Sequence, residues 1–203
     1  EEKDSDVAYI RISYFNDETW KQFSAAVDEV LTKNPQGLIL DLRSNPGGYL
    51  ETSVAVASEW VDDGVIVQEV FQKEEEKKVY LTHGAHRLVG LPTVVLVDGG
   101  TASGSEIVAG ALQDHNKAIV LGQKTFGKGS VQSFEVFPDG SALKLTIATW
   151  LTPSGGVIDK EGVEPDSVID EMFIEGEEYE GGYKDVGIEQ ALVILKEMNK
   201  EGA

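Results

Sequence analysis

The apolar positions along this chain follow two patterns. Residues 37–42 and 93–97 are short, nearly continuous aliphatic runs bounded by proline, glycine or aspartate. Such runs are typical of strands buried on both faces of a sheet. In residues 18–32, by contrast, apolar side chains recur at three- and four-residue spacing, which predicts an amphipathic helix. The sequence therefore combines buried strands with helices that cover them.

The same two patterns extend over most of the chain. Further strands are predicted at residues 7–15, 65–71, 79–82, 133–137 and 142–151, and further helices at about 51–61, 107–112 and 188–199. Because strands and helices alternate up to residue 121, we predict an α/β fold with a largely parallel sheet. The last two strands bracket a Pro-Asp-Gly turn, which is typical of a hairpin.

Three polar stretches fall outside these elements. We interpret residues 1–6 as a frayed lead-in, 72–78 as a solvated turn, and 169–183 as an acidic, mobile segment.

Length and charge narrow the class of protein. A chain of 203 residues can bury a real core, and we treat residues 1–203 as one domain. The net charge of −19 disfavours nucleic acid and anionic membranes as direct partners. No apolar run approaches the roughly 20 residues of a membrane span, and no targeting segment is recognisable.

The amino-acid composition excludes some kinds of functional site. The chain has no cysteine, which excludes disulfides and a thiolate nucleophile. Its three histidines, His83, His86 and His115, are badly spaced for a metal site, and we predict neither a metal nor another cofactor. We expect His83 and His86 to be structural or merely exposed.

Candidate chemistry is concentrated between residues 93 and 132. Ser103 lies in a turn of small residues between a predicted buried strand and a predicted helix. Its hydroxyl would project from the end of the sheet, beside free N–H groups at the helix N-terminus that can stabilise an oxyanion. A serine in such a turn more commonly only caps the helix, and a nucleophilic serine needs a base.

Lys128, which has a glycine on each side, is the most distinctive candidate base. Phe126 and Val131 are close in sequence and could desolvate its amine, and burial lowers the pKa of a lysine. A shift from about 10.4 to about 7–8 costs roughly 4 kcal/mol, which the folded scaffold must supply. Gln132 could orient the amine through its side-chain carbonyl. His115, at the end of a predicted helix, is a weaker rival base.

A lysine between glycines is also found in exposed turns and in phosphate-binding loops. The phosphate loop requires Ser or Thr after the lysine, where this chain has Gly129. The residues that follow predict a strand and not a helix, so we reject that interpretation.

Two segments resemble motifs of the carboxyl-terminal processing (tail-specific) proteases of serine peptidase family S41. They are residues 100–107, Gly-Thr-Ala-Ser-Gly-Ser-Glu-Ile, and residues 125–132, Thr-Phe-Gly-Lys-Gly-Ser-Val-Gln. The resemblance implies that Ser103 is the nucleophile, Lys128 the general base and Gln132 its support. The family more often has Ser-Ala-Ser-Ala-Ser where this chain has Thr-Ala-Ser-Gly-Ser.

A third segment, residues 41–48 with the sequence Asp-Leu-Arg-Ser-Asn-Pro-Gly-Gly, also resembles a family motif. In the family a glycine N–H of this motif helps to form the oxyanion hole. By resemblance, Gly47 or Gly48 would donate here, with Gly48 preferred, and Gly104 would supply the second N–H.

The resemblance also implies a fold, a substrate class and a location. The fold would be a ClpP/crotonase-like spiral α/β core with a mostly parallel sheet, a C-terminal β-hairpin region and a terminal helix. Family members usually carry a PDZ domain and an N-terminal helical segment, which we do not recognise in these residues. Substrates would be proteins or peptides read near the C-terminus, outside the cytoplasm, and a homo-oligomer is compatible with the family.

We therefore expect a serine endopeptidase that uses a Ser-Lys dyad and an acyl-enzyme intermediate. Three alternatives stay open: a non-catalytic binding module with the same fold, a crotonase-like acyl-CoA enzyme, and a structural or assembly protein. The joint presence of Ser103, Lys128 and Gln132 disfavours a decayed site. A crotonase-like site would not need a lysine beside a serine.

Overall fold

The computed structural model describes residues 6–71, 77–176 and 182–201. Parts of the three polar stretches (1–5, 72–76 and 177–181) lie outside these residues, so our interpretation of them is not addressed there. The elements in chain order are β1 (Val7–Arg11), α1 (Thr19–Lys33), β2 (Gly37–Asp41), α2 (Leu50–Ala57), β3 (Val65–Phe71), β4 (Lys77–Leu81), β5 (Thr93–Val97), α3 (Gly104–Asp114), β6 (Ile119–Gly122), β7 (Ser130–Val136), β8 (Ala142–Leu151), β9 (Ser167–Val168), β10 (Phe173–Glu175), β11 (Tyr183–Asp185) and α4 (Val186–Glu201).

A parallel sheet with the strand order β1-β2-β5-β6-β9 forms the centre of the fold. β2 and β5 are buried along their whole length, as their continuous aliphatic runs predict. Val95 and Val97 of β5 pack with α1, α2 and α3 on one face of this sheet. Val94 and Leu96 pack with α4 on the other face. The predicted α/β architecture with a mostly parallel sheet is confirmed.

A second, antiparallel sheet has the strand order β4-β3-β8-β7. α3 packs between the two sheets, because its buried face shares a cluster with residues of β3 and β8 as well as β5. This position explains why every residue of α3 from Gly104 to Leu112 is buried. The N-terminus of α3 is therefore anchored on a rigid, fully packed helix.

The hairpin predicted around Pro-Asp-Gly is confirmed. β7 and β8 pair in antiparallel register, and the turn is closed by a hydrogen bond of 2.8 Å from the Phe137 N–H to the Ser141 carbonyl. β7 begins two residues after Lys128, so the edge of this hairpin continues from the segment that carries the candidate base.

Several predicted boundaries differ from the observed ones. The strand predicted at 7–15 ends at Arg11, since the chain then turns so that Phe15 pairs with Gly48. The helix predicted at 51–61 ends at Ala57, and the Ser58 hydroxyl bonds back to the Val54 carbonyl at 2.7 Å.

The sequence analysis missed β9, β10 and β11. Each has only two or three residues, which is too short for an alternation pattern to be recognised. β10 and β11 pair in antiparallel fashion; β10 lies within the stretch 169–183 that we had interpreted as mobile, and β11 begins at its last residue. In the described residues no helix is long and apolar enough to cross a membrane.

Substitution of Leu112 by alanine should strongly destabilise the fold. The side chain is 0% exposed in the cluster between the sheets, and deleting such a side chain typically costs about 2–5 kcal/mol. Leu31→Ala is the control, because Leu31 is 43% exposed on α1 and should cost well under that amount. Urea unfolding of both variants measures the difference, and equal free energies of unfolding would contradict the assignment of the core.

Candidate active site

Ser103 lies between the end of β5 and the first residue of α3. Its backbone has φ of 54° and ψ of −117°, which is unusual for a residue with a side chain. Such conformations cost of order 1–3 kcal/mol and persist only when the surroundings hold them. The preceding residue, Ala102, is held by a hydrogen bond of 2.9 Å from its N–H to the Asn45 carbonyl. The helix start and the 43–48 loop are therefore fixed to each other beside Ser103.

Glu106 joins the two candidate catalytic segments. Its carboxylate is 0% exposed. Oε2 accepts the backbone N–H of Ser103 at 2.7 Å and that of Lys128 at 2.9 Å. Oε1 accepts the Thr125 hydroxyl and the Gly127 N–H, both at 2.6 Å. Because one oxygen binds the amides of Ser103 and Lys128, the backbones of these two residues lie side by side.

The sequence analysis gave Glu106 no role, although it stands in the first motif. The available signal was the Ser-x-x-Glu spacing at 103–106, which is typical of a capping box in which the Glu side chain reaches back to the first backbone N–H of a helix. The structure contains this bond, but the same carboxylate also binds the lysine segment. No sequence pattern at Glu106 indicates that second contact.

Gly47 and Gly48 differ in what their N–H groups do. The Gly47 N–H donates to the Asn45 side-chain carbonyl at 2.9 Å. The Gly48 N–H, like that of Gly104, meets no acceptor within the described part of the chain. An ideal Cβ added to Gly104 would lie 3.5 Å from the Gly48 nitrogen, so these two amides are neighbours. Gly48 is thus the glycine with a free donor beside the helix start.

Glycine is required at both loop positions. Gly47 has φ of +94° and Gly48 has φ of +142°, a region that favours glycine. A Cβ at Gly48 would also collide with the carbonyl of Phe15.

The side chains of Lys128 and Gln132 are exposed. Phe126, which could have desolvated the lysine amine, is itself 65% exposed, and it does not bury Lys128 in this structure. Across residues 6–71, 77–176 and 182–201 no hydrogen bond joins Ser103 Oγ to Lys128 Nζ, or Lys128 to Gln132. Glu106 therefore brings the backbones of Ser103 and Lys128 together, while their side chains are not hydrogen-bonded to each other in the described residues.

A buried ion pair fixes the start of the 43–48 loop. Arg43 donates from its backbone N–H and its Nε to Asp41 Oδ1, each at 3.0 Å, and from a terminal nitrogen to Oδ2 at 2.7 Å. The Tyr9 hydroxyl donates to the same Oδ2 at 2.6 Å. Burial alone would raise the pKa of Asp41, but the hydrogen bonds from Arg43 and Tyr9 outweigh it and hold that pKa below its usual value.

The pKa of Arg43 is shifted in the opposite direction. Burial alone would lower its pKa, yet its hydrogen bonds to Asp41 and Asp185 raise the pKa above the usual value for arginine. Asp41 and Arg43 are therefore both ionised throughout the physiological pH range, and each buried charge lies beside an opposite charge.

Asp98 connects the loop to the segment before Ser103. Its carboxylate accepts the Ser44 N–H at 2.8 Å and the Gly100 N–H at 2.9 Å. The Thr101 hydroxyl donates to the Leu42 carbonyl at 2.9 Å. These bonds hold the carboxyl ends of β2 and β5 together, as expected of neighbouring parallel strands.

The histidines lie away from Ser103. His115 is at the opposite end of α3, and its Nε2 is 2.7 Å from the Val65 carbonyl. His86 Nδ1 is 2.7 Å from the Ser58 carbonyl. His83 is exposed, and its backbone N–H donates to the Ser58 hydroxyl. The geometry therefore gives no support to His115 as a base for Ser103.

Glu106→Gln should destabilise the protein while keeping the size of the side chain. Whichever way the amide turns, its NH2 group faces at least one backbone N–H that loses its acceptor, and a buried donor left unsatisfied typically costs about 1–3 kcal/mol. Glu197→Gln, on the exposed side of α4, is the matched control and should change stability by less than about 0.5 kcal/mol. Chemical denaturation of both variants is the measurement, and similar midpoints would show that the four bonds to Glu106 matter little.

The Tyr9 hydroxyl should lose its proton at a higher pH than an ordinary tyrosine does. Burial, followed by the hydrogen bond and charge of Asp41, raises the pKa of Tyr9 to about 12. The folded state holds the phenol proton more tightly than the unfolded chain, so the resulting stabilisation is complete below about pH 10 and is lost as pH rises towards 12. The difference in tyrosinate absorbance between wild type and Tyr9→Phe should titrate near pH 12. A midpoint near pH 10 would mean that the contact with Asp41 is absent.

Comparison with known proteins shows to which family the chain is related. Residues 6–169 match the profile of peptidase family S41. The carboxy-terminal processing protease CtpA of Bacillus subtilis is 41% identical over 81% of this chain and 35% of the relative. A carboxyl-terminal-processing protease of Synechocystis is 39% identical over 83% of this chain and 39% of the relative.

Solved structures of proteases are similar to this chain as well. The photosystem II D1 C-terminal processing protease superposes with a TM-score of 0.75 and 37% identity, over 81% of this chain and 42% of that one. The tricorn protease, at 20% identity and a TM-score of 0.66, shares the fold. The chain spans about two fifths of the length of these processing proteases. With its profile match, its identity to the processing proteases and the same mixed α/β fold, the chain belongs to serine peptidase family S41, the carboxyl-terminal processing proteases.

Proposed function

We propose that this chain is the catalytic core of a serine endopeptidase that uses a Ser-Lys dyad and an acyl-enzyme intermediate. The observation that carries the proposal is the Glu106 carboxylate oxygen that binds the amides of both Ser103 and Lys128. Two free N–H groups, those of Gly48 and Gly104, lie beside the same helix start. Membership of family S41 supports the assignment of the nucleophile and the base.

In the acylation step, the Lys128 amine accepts the hydroxyl proton of Ser103 while Oγ attacks the carbonyl carbon of the scissile bond. The negative charge moves to the carbonyl oxygen, which accepts hydrogen bonds from Gly48 and Gly104. When the tetrahedral intermediate collapses, the C–N bond breaks and the Lys128 ammonium gives its proton to the leaving amine. The acyl group remains as an ester on Ser103.

In the deacylation step, water attacks the ester carbonyl and gives a proton to Lys128. The second tetrahedral intermediate uses the same two N–H donors. Its collapse releases the carboxylate product, and the lysine proton returns to Ser103 Oγ. Each proton that Lys128 takes up is therefore delivered within the cycle.

Closure of the dyad requires a side-chain movement of Lys128. Its backbone is held by Glu106, and in our proposal rotation about the side-chain bonds brings Nζ towards Ser103. Exposed side chains change rotamer in picoseconds to nanoseconds. Gln132 lies on β7 near the base of this segment and, in our proposal, supports the amine once it has turned inward.

The relatives support a proposal for the substrate class and the location. Several of these are named carboxy-terminal processing proteases, and one solved relative processes the photosystem II D1 protein. We accordingly propose protein or peptide substrates read near their C-terminus, outside the cytoplasm. A homo-oligomer is part of this proposal.

A non-catalytic binding module is the second candidate. One observation favours it, namely that Lys128 is exposed and is not bonded to Ser103. A binding module would bind an extended peptide without cleaving it.

Hydrolysis of casein, an unfolded protein, should be lost when either member of the dyad is removed. We expect Ser103→Ala and Lys128→Ala to lower turnover by at least about a thousandfold, and Gln132→Ala to lower it less. Lys124→Ala is the matched control, because Lys124 lies in the same segment and makes an exposed surface ion pair with Glu164 at 3.1 Å.

Initial rates at matched protein concentration, with folding verified by circular dichroism, are the measurement. Full activity of Ser103→Ala or Lys128→Ala would refute the dyad. Peptide binding without cleavage by the wild-type chain would favour the binding module.

A further inference from the structure

Arg43 is bound from the far end of the chain as well as from its own strand. Its two terminal nitrogens donate to the two carboxylate oxygens of Asp185, each at 2.9 Å, across 142 residues of sequence. The guanidinium carbon also lies 5.2 Å from the centre of the Phe173 ring, within the range of a cation–π contact. β10 and the residue before α4 therefore hold Arg43 in addition to Asp41.

The position of Arg43 matters because the 43–48 loop begins there. The next residues of the loop are tied to one another and to the helix start. Asn45 donates from its side chain to the Ile12 carbonyl at 2.7 Å and accepts the Gly47 N–H at 2.9 Å. Its own carbonyl accepts the Ala102 N–H and the Ser105 hydroxyl. A displacement of the loop start would thus be passed on towards Gly48.

Loss of the Asp185 carboxylate should destabilise the buried side chain of Arg43. Arg43 is buried, with 6% of its surface exposed, and its fork of N–H groups is divided between Asp41 and Asp185. Removal of one carboxylate leaves part of a buried guanidinium unpaired, which is strongly unfavourable. The guanidinium has little room to reorient, since a Cβ at Gly187 would lie 3.1 Å from one of its nitrogens.

Asp185 also begins the last helix. Its Oδ1 accepts the Ile188 N–H at 3.0 Å, as an N-cap does. α4 in turn packs on the sheet through Ala191 and Leu195. One carboxylate therefore connects the docking of α4 to the geometry of the 43–48 loop.

We propose that Asp185 is a positioning residue: by gripping Arg43 from the C-terminal segment, it fixes the loop that presents the Gly48 N–H next to Ser103. The role in turnover rests on the proposed function, because Gly48 matters for rate only if an oxyanion forms there. The role in loop geometry does not depend on that function. The two parts can be tested separately.

The decisive variant is Asp185→Asn. Asparagine caps helices as well as aspartate does, so the bond to Ile188 is retained while the charge and the two-oxygen grip on Arg43 are lost. Glu189→Gln is the matched control. It lies in the same helical turn and pairs with Lys184 at 2.8 Å, while the ion pairs of Arg43 within the described residues are with Asp41 and Asp185.

The first measurement is amide hydrogen exchange, which needs no activity. Peptides that cover residues 44–49 should exchange faster in Asp185→Asn than in Glu189→Gln, while peptides from β5 should exchange alike. Equal exchange in the loop, or faster exchange spread over all peptides, would overturn the positioning role. This result stands whether or not the chain proves to be a protease.

The second measurement is steady-state cleavage of a peptide substrate. A loop that is misplaced by a fraction of an ångström should lower kcat by about tenfold to a hundredfold with KM changed less than about twofold. Glu189→Gln should leave both parameters unchanged. A loss confined to KM, or an unchanged kcat despite a loosened loop, would overturn the catalytic consequence.

A milder variant covers the case in which Asp185→Asn does not fold. Phe173→Leu keeps an apolar side chain but removes the ring that contacts the guanidinium. It should produce a smaller change of the same sign in loop exchange and in kcat. No change in loop exchange would overturn the proposal.

Discussion

The arrangement of the site depends on one buried carboxylate. Glu106 is on the first turn of a helix packed between two sheets, so its position is set by the core and not by the surface. Four donors from two segments converge on it. A carboxylate without water around it is stable only when such donors are supplied, and this requirement in turn fixes where the two segments must lie.

A second charged network acts on the other side of the helix start. Asp41 and Arg43 stand at the carboxyl end of β2, where ligands and reactive groups collect in parallel α/β sheets. The first network fixes the segment of Lys128, and the second fixes the loop of Gly48. Both networks are buried. The positions of the site residues are therefore set by charged groups whose hydrogen bonds are satisfied inside the core, and not by surface contacts.

The sequence was sufficient for the architecture and for the location of the candidate nucleophile. The aliphatic runs of β2 and β5 carry their own periodic signal, and the small-residue turn at Ser103 carries a local one. Asp185 has no such signal, because its partner Arg43 lies 142 residues away. Lys128 is exposed because closeness in sequence does not ensure cover: Phe126, two residues before it, is itself 65% exposed. Contacts of long sequence separation are what single-sequence patterns do not encode.

The amide of Ser103 is already committed to Glu106. A nucleophile whose own N–H is occupied has none to offer to a developing negative charge. In the proposed mechanism that charge is shared by two glycine amides, that of Gly48 in the 43–48 loop and that of Gly104 at the start of α3. If the proposed mechanism holds, the helix start and the 43–48 loop each supply one of the two N–H donors, so a shift of either segment relative to the other would separate the donors and slow the reaction.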